Sequence, residues 1–449
     1  MRKYKVISLF SGAMGLDIGL EQSGRFEIVA CVESEKSYCD TIRFNQAAGR
    51  LSKKLVLFEK DIRDVSSKEI LRAAGLKAKD VDLIVGGPPC QSFSTAGRRG
   101  TIQDHRGTLL WEFLRLIEEI KPRMFLMENV RGLLSAAVRH RPILNRPDKG
   151  GVLLQDDEKP GSVVKLFARD LANLKRCSYH LDIFEVNAVN YGAPQIRERV
   201  LFIGNRYGAT VDFPTPSHGM NPIDSTNQQL GLFHDKTKQP WRTLGDAIKD
   251  LKEEHPLLMD FSPRKKEFLR MVPPGSNWRS LSVEAQKESM GKAWYAKGGR
   301  SGWWRRLTFE LPCPTLVTMP NHASTSLCHP TETRALSVSE YSRIQEFPDD
   351  WAFCGKVSEQ YAQIGNAVPT RLGKVAGQVV SDLLDSLYKR KWKPYPLKDR
   401  TPRIIYLQSH IRTRNWYKNG EAIVWDDKEK VNNARYSRSK TIKRVRNLK

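Results

Sequence analysis

No apolar run in this chain approaches the roughly 20 residues needed to cross a bilayer. The basic start, Met1 to Lys5, is followed only by the strand-length run Val6 to Phe10, which breaks at Ser11-Gly12. A secretory leader is therefore not expected, and the cytosol is the expected compartment. The seven cysteines are scattered, odd in number and never spaced as CxxC. That spacing argues against a disulfide framework or a zinc ribbon, and no metal site is expected. Free thiols suit a reducing compartment. Internal repeats are missing, and so is the GxGxxG turn of dinucleotide sites. Acidic charge is also short: 50 Asp and Glu against 74 Lys and Arg, a net of +24. Such an excess favours a polyanionic partner such as nucleic acid, with a plain solubilising charge as the alternative. It is unevenly spread, since Lys389 to Lys449 holds 19 basic against 5 acidic residues, or +14 of that net charge.

What is present is a βα rhythm. Lys5 to Phe10, Phe26 to Val32, Val56 to Phe58, Val81 to Val85, Met124 to Met127 and Val200 to Ile203 read as strands. Gly15 to Ser23, Tyr38 to Asn45, Lys68 to Ala74 and Leu109 to Ile120 read as intervening helices. Alternation with short connections predicts an α/β fold, a doubly wound parallel sheet with ligands at the carboxyl ends of its strands. A polar Gly/Pro stretch over about 139–162 reads as an inserted surface loop. From 206 to 304 the rhythm is lost, which predicts a smaller, irregular second domain. Order returns over 305–388, with Leu372 to Tyr388 a strong amphipathic helix, and 389–449 is a basic extension.

The residues after the strands carry the chemistry. Phe10-Ser11-Gly12-Ala13-Met14-Gly15 is a glycine-rich turn between strand and helix, where a ligand can approach the backbone. Glu33 ends strand two, where a carboxylate can hold ribose hydroxyls, and Asp61 follows strand three. Solvated or capping carboxylates are the alternative for both. Gly86-Gly87-Pro88-Pro89-Cys90-Gln91-Ser92-Phe93-Ser94 places a thiol on a loop directly past a buried strand. Most cysteines are buried hydrophobes, but this position is where function concentrates. Glu128-Asn129-Val130 follows the strand at Met124 to Met127 and would face the same edge. In Gln195-Ile196-Arg197-Glu198-Arg199 the two arginines alternate, so on a strand they share a face. They read as a phosphate or base-carbonyl site, or else as a structural ion-pair cluster.

The order FSGAMG, PPCQSFS, ENV, QIRER and QIGNAVP (Gln363 to Pro369) resembles the cytosine-C5 DNA methyltransferase family over about Lys5 to Tyr388. The resemblance implies a Rossmann-like S-adenosylmethionine-dependent methyltransferase fold with a smaller target-recognition domain. It implies S-adenosylmethionine as methyl donor, held by Phe10, Gly12, Ala13, Gly15, Glu33, Asp61, Ile62, Pro89, Leu109, Asn366 and Ala367. It also implies Cys90 as the nucleophile that attacks carbon 6 of a cytosine flipped out of the duplex. Glu128 would hold a proton at ring N3, and Arg197 and Arg199 would bind around the ring oxygen. Met14 departs from the pattern, which has glycine there.

Sequence choice is expected in about 206–304, where Arg264-Lys265-Lys266 and Asn277-Trp278-Arg279 lie and where the run Arg300 to Arg306 begins. The tail is expected to add nonspecific phosphate contacts or to stay disordered, its Ile404-Ile405-Tyr406 and Val424-Trp425 pieces suggesting partial folding. Double-stranded DNA is thus the expected partner, with a restriction endonuclease cutting the same site as a functional counterpart and the enzyme a monomer. Two rivals are an RNA cytosine-5 methyltransferase on the same scaffold and a catalytically silent DNA-binding homologue. The long second region argues against the first, and the intact Cys90, Glu128, Arg197 and Arg199 against the second. An ordinary nucleotide-dependent oxidoreductase is remote without GxGxxG.

Overall fold

The computed structural model describes residues 2–89, 108–219, 238–296, 300–391, 393, 401–407 and 444–448. Cys90 and the loop that follows it lie outside the described residues. The first strand, β1 (Tyr4–Leu9), has Val6, Ile7 and Leu9 fully buried, so both faces are covered, as a central strand flanked by helices requires. The chain then runs through α1 (Gly15–Glu21), β2 (Phe26–Glu33), α2 (Lys36–Ala47), β3 (Val56–Glu59), α3 (Ser67–Ala73), β4 (Leu83–Gly86), α4 (Leu109–Ile120), β5 (Met124–Val130), α5 (Ser162–Ala172), β6 (His180–Asn187) and β7 (Glu198–Asn205). The α/β alternation expected from the sequence is observed, with β6 and α5 in addition.

Among the described residues the main sheet has nine strands, ordered β11-β10-β6-β7-β5-β4-β1-β2-β3, with β10 (Arg403–Tyr406) and β11 (Arg444–Asn447) from the tail. From β1 the chain steps outward to β2 and β3, then returns to the other side of β1 as β4 and β5. The topological switch point therefore lies between β1 and β4, where crevices open at the carboxyl ends of the strands. The sheet is not wholly parallel, because β7 runs antiparallel to both β5 and β6. That reversal brings the start of β7 to the carboxyl end of β5.

The stretch after β7 divides differently from the expected 206–304. Tyr207, Val211, Phe213, Leu244 and Ile248 pack into the main core. This part carries the two-residue strands β8 (His218–Gly219) and β9 (Gln239–Pro240) and the short helix α6 (Leu244–Ile248). A separate hydrophobic cluster runs from Phe261 to Ala335, well past Trp304, and includes Phe268, Trp278, Met290 and Cys328. It is built on α7 (Pro263–Arg270), α8 (Val283–Met290) and loops. The chain then rejoins the main body through α9 (Val338–Ile344), α10 (Val357–Asn366) and α11 (Thr370–Lys389). The tail is not merely an appendage. Its strand β10 (Arg403–Tyr406) pairs in parallel with β6, and β11 (Arg444–Asn447) pairs with β10. Ile404 and Ile405 are buried, and Arg403 Nε meets the fully buried Asp182 at 2.7 Å. Val424-Trp425 lies outside the described residues.

Two helices from opposite ends of the chain touch backbone to backbone. A Cβ on Gly19 would lie 2.1 Å from the Thr370 carbonyl and 2.7 Å from the Gly373 Cα. A Cβ on Gly15 would lie 2.5 Å from the Val368 carbonyl. Only glycine permits these approaches, and they lock α1 and its preceding turn against the segment Ala367-Val368. Within that turn Met14 adopts φ 67°, in the left-handed region, and its side chain is fully buried. The turn thus keeps a glycine-like conformation without glycine. Met14→Gly should relieve about 1 kcal/mol of backbone cost. It should also lose about 2–5 kcal/mol of buried side chain. A net fall in urea-unfolding stability is expected.

Candidate active site

The β5–β7 register assembles the polar centre. Val130 pairs with Arg199 and Glu128 with Leu201, so Glu128 and Arg199 are diagonal neighbours on one face of the sheet. Glu128 lies within β5 rather than after it. Arg199 Nε meets Glu128 Oε1 at 2.5 Å, and both side chains are buried. Burial pushes the Glu128 carboxyl up, and the charges of Arg199 and Arg197 draw it back. Glu198 faces elsewhere and pairs at 3.4 Å with Arg131.

Arg197 has partners other than those read from the sequence. Its Nη1 donates to the Leu316 carbonyl at 3.2 Å, and its Nη2 to those of Gly365 (2.6 Å) and Ala367 (2.9 Å). It is almost wholly buried, just ahead of β7. Burial first, then repulsion from Arg199, pulls its guanidinium well below the usual value. Its bonds clamp the QIGNAVP segment to the strand that carries Arg199.

Two contacts bring the segment before Cys90 to Glu128. Asn129 Nδ2 donates to the Pro88 carbonyl at 3.0 Å. A Cβ on Gly87 would lie 3.1 Å from Glu128 Oε2, so glycine leaves the carboxylate its room. The ENV block therefore supplies both a carboxyl group and the tie that holds Pro88 beside it. Asn129 and Gly87 were in view in the sequence without a role. Gln345 was missed altogether. It is fully buried, donates to the Ile364 carbonyl at 2.6 Å and accepts from Gln195 at 2.9 Å. Its signal, a glutamine in the ordered segment after Arg305, is too common to single out.

The residues expected to hold a cofactor border the switch point. Phe10 follows β1 in a left-handed conformation, φ 56°, and Gly12 has φ 54°. Glu33 ends β2 and is buried. Its Oε2 accepts from the Gly12 amide at 2.8 Å, and its Oε1 from those of Ser34 (2.8 Å) and Glu35 (3.0 Å). Burial pushes this carboxyl up against the pull of the three amides. Asp61 caps the turn after β3, and its bonds to Arg63 lower its carboxyl to about 2. Ile62 is buried, Pro89 is exposed past β4, and Leu109 opens α4 half-buried. Asn366 donates to the Tyr38 hydroxyl at 3.1 Å, and Ala367 sits beside Gly15. Carboxylates at the ends of β2 and β3, with apolar side chains beside them, suit a ligand with sugar hydroxyls and a flat base. This donor set fits the nucleoside half of S-adenosylmethionine.

Asp17, one turn into α1, is buried with Oδ1 unpartnered, and burial raises its carboxyl to about 7. The unfolded chain ionises near the ordinary aspartate value while the folded chain keeps its proton. Stability should therefore fall as pH rises from about 4 to about 7. Asp17→Asn should flatten that slope in urea unfolding curves taken across the interval.

A mixed sheet with these crevices is the S-adenosylmethionine-dependent methyltransferase fold. A prophage-encoded E. coli chain described as a DNA modification methyltransferase superposes with TM-score 0.53 at 22% identity, covering 85% of this chain and 100% of that one. Spodoptera frugiperda DNMT2 superposes with TM-score 0.50 at 15% identity, covering 84% and 100%. The family model for C-5 cytosine-specific DNA methylase matches residues 4–381, and the chain belongs to that family. It is 36% identical over 392 residues to the Type II methyltransferase M.Eco47II of Escherichia coli, 86% of this chain and 81% of that one. Against the Type II methyltransferase M.Sau96I of Staphylococcus aureus it is 34% identical over 380 residues, 84% and 75%. The protein is thus a DNA (cytosine-5-)-methyltransferase. No helix among the described residues is long and apolar enough to cross a membrane.

Proposed function

We infer that this enzyme methylates carbon 5 of a cytosine within a specific double-stranded DNA sequence, through a covalent bond between Cys90 and carbon 6 of a flipped-out base. The observation that carries this reading is the Glu128–Arg199 pair, with Gly87 and Pro88 fastened beside it three and two residues ahead of Cys90. Carbon 5 of cytosine is a poor nucleophile. Addition of the Cys90 thiolate to carbon 6 converts the ring to an enamine and makes carbon 5 electron-rich. Glu128, its carboxyl pushed up by burial, holds a proton at ring N3. Arg199 keeps that carboxyl oriented and offers its guanidinium to the ring oxygen. Arg197 acts one step back, as a positioning residue, by fixing the Gly365–Ala367 segment. Bound S-adenosylmethionine supplies an electrophilic methyl group to carbon 5. A base, water in the simplest case, then takes the proton from carbon 5, and the bond between Cys90 and carbon 6 breaks.

Phe10, Gly12, Ala13, Gly15, Glu33, Asp61, Ile62, Pro89, Leu109, Asn366 and Ala367 would hold the cofactor, Glu33 at the ribose and Asp61 with Ile62 at the adenine. Extruding the base costs a few kcal/mol. The enzyme would act as a monomer in the cytoplasm, beside an endonuclease that cuts the same sequence unmethylated. Bisulfite sequencing of DNA from a methylation-deficient host expressing the chain tests this. A common sequence around protected cytosines is expected, and unprotected DNA alongside folded protein would refute it.

A further inference from the structure

Three basic segments stand out in the sequence before Arg306, and the small cluster sorts them. Lys266 is ion-paired with Asp260, and Lys265 donates to the Asn321 carbonyl at 2.9 Å. Arg306 is buried and donates to the Leu269 carbonyl at 2.8 Å. Arg279 and Arg300 differ. Their guanidinium carbons lie 4.6 and 4.9 Å from the centroid of one ring, that of the buried Trp278. Neither meets a carboxylate among the described residues. Arg300 donates to the Trp294 carbonyl. Arg279 is exposed, and burial of its inner part together with repulsion from Arg300 draws its guanidinium below the usual value. Two like charges gathered on one ring without an anion are an arrangement that an acceptor-rich partner would complete.

Position supports this. The Leu316 carbonyl is bonded to Arg197, and the Ala323 carbonyl, seven residues further on, accepts from the Trp304 amide at 3.3 Å. The Trp303 carbonyl in turn accepts from the Trp278 amide at 3.1 Å. Seven residues span at most about 25 Å. The ring that carries both arginines is thus tied to the clamp behind Arg199 over a distance of several base pairs, at about 3.4 Å each.

We propose that Arg279 and Arg300 read guanines of the recognised DNA sequence through their major-groove edges. The proposal rests on the DNA reading above and names the residues and base that give it specificity. Contact with the Trp278 ring restricts where the two forks can sit. A fork so held matches the O6 and N7 acceptors of guanine, whereas a phosphate asks only for a nearby charge.

The test begins with the sequence that the wild-type enzyme protects in a methylation-deficient host. Arg279→Lys and Arg300→Lys keep the charge and lose the fork. Each should relax the requirement for guanine at one position of that sequence about 10-fold or more. Variants that protect the same sequences with unchanged preference, at whatever level, overturn the proposal. So does an equal loss of affinity for recognised and unrelated duplexes, which would mean phosphate contacts. If the wild type protects nothing, it is the DNA reading that fails. Should the lysine variants be inactive, binding of the wild type to duplexes carrying 7-deazaguanine, which lacks the N7 acceptor, decides. Affinity about 10-fold lower at one or more guanines supports the proposal, and indifference at every guanine overturns it.

Discussion

Replacing Cys90 by serine lowers methyl transfer to DNA by at least about 1,000-fold, while binding of S-adenosylmethionine and of duplex DNA stays near wild type. A thiol ionises near pH 8.5, and it is the thiolate that attacks. A serine hydroxyl ionises far higher and is a much weaker nucleophile near neutral pH. The residues proposed to hold the cofactor flank Cys90 in the sequence without including it, so the loss should fall on kcat. Duplex DNA with 5-fluorocytosine at the target reports the same step independently. Fluorine replaces the proton that must leave carbon 5, so the covalent species accumulates. Denaturing gel electrophoresis should show a stable adduct with the native enzyme and none with Cys90→Ser. An adduct that survived the substitution would require a different nucleophile.

Glu128→Gln is expected to lower kcat by about 100–10,000-fold, the usual worth of a positioned proton donor. The substitution keeps the shape that faces Gly87 and Arg199. On the proposed mechanism it removes the proton offered to ring N3 and, in the ionised state, the charge that compensates Arg199. Breaking a buried ion pair costs about 3–5 kcal/mol when one charge is left unpaired. The carbonyl of the new amide side chain still offers Arg199 an acceptor, so the loss of thermal stability should be smaller than for Glu128→Ala. Single-turnover kinetics at saturating cofactor separates the effects. A Glu128→Gln enzyme with a raised KM and an intact kcat would mean that Glu128 serves binding and not proton transfer.

Much of the sheet was legible in the sequence because buried strands alternate with amphipathic helices, and because Phe10 and Pro89 follow strands while Glu33 ends one. The direction of β7 was not. Arg197 and Arg199 alternate, which places them on one face of any strand. Nothing local says that the strand runs against β5, and it is that reversal which puts Arg199 on Glu128. Nor could the sequence separate the roles of the two arginines. Arg197 binds carbonyls more than a hundred residues away, at Leu316, Gly365 and Ala367.

The second cluster spans other residues than the irregular stretch read from the sequence, for a related reason. Its core is long-range, joining Phe261 and Trp278 to Cys328 and Ala335 across loops without periodicity. The tail was read chiefly as charge. Ile404-Ile405-Tyr406 hints at partial folding, but nothing local says that Arg403–Tyr406 joins the main sheet, where pairing with β6 and Asp182 place it. Met14 shows the opposite case. A departure from the family pattern, visible in the sequence, leaves the turn's left-handed geometry in place because the side chain is buried in the core.

The most direct measurement is nucleoside mass spectrometry after incubation of the purified protein with S-adenosylmethionine and either duplex DNA or tRNA. The account predicts 5-methylcytosine in the DNA, absent with Cys90→Ser and absent from the RNA. Methylated cytosine in the tRNA alone, or a methyl group on DNA at any atom other than carbon 5 of cytosine, would contradict it.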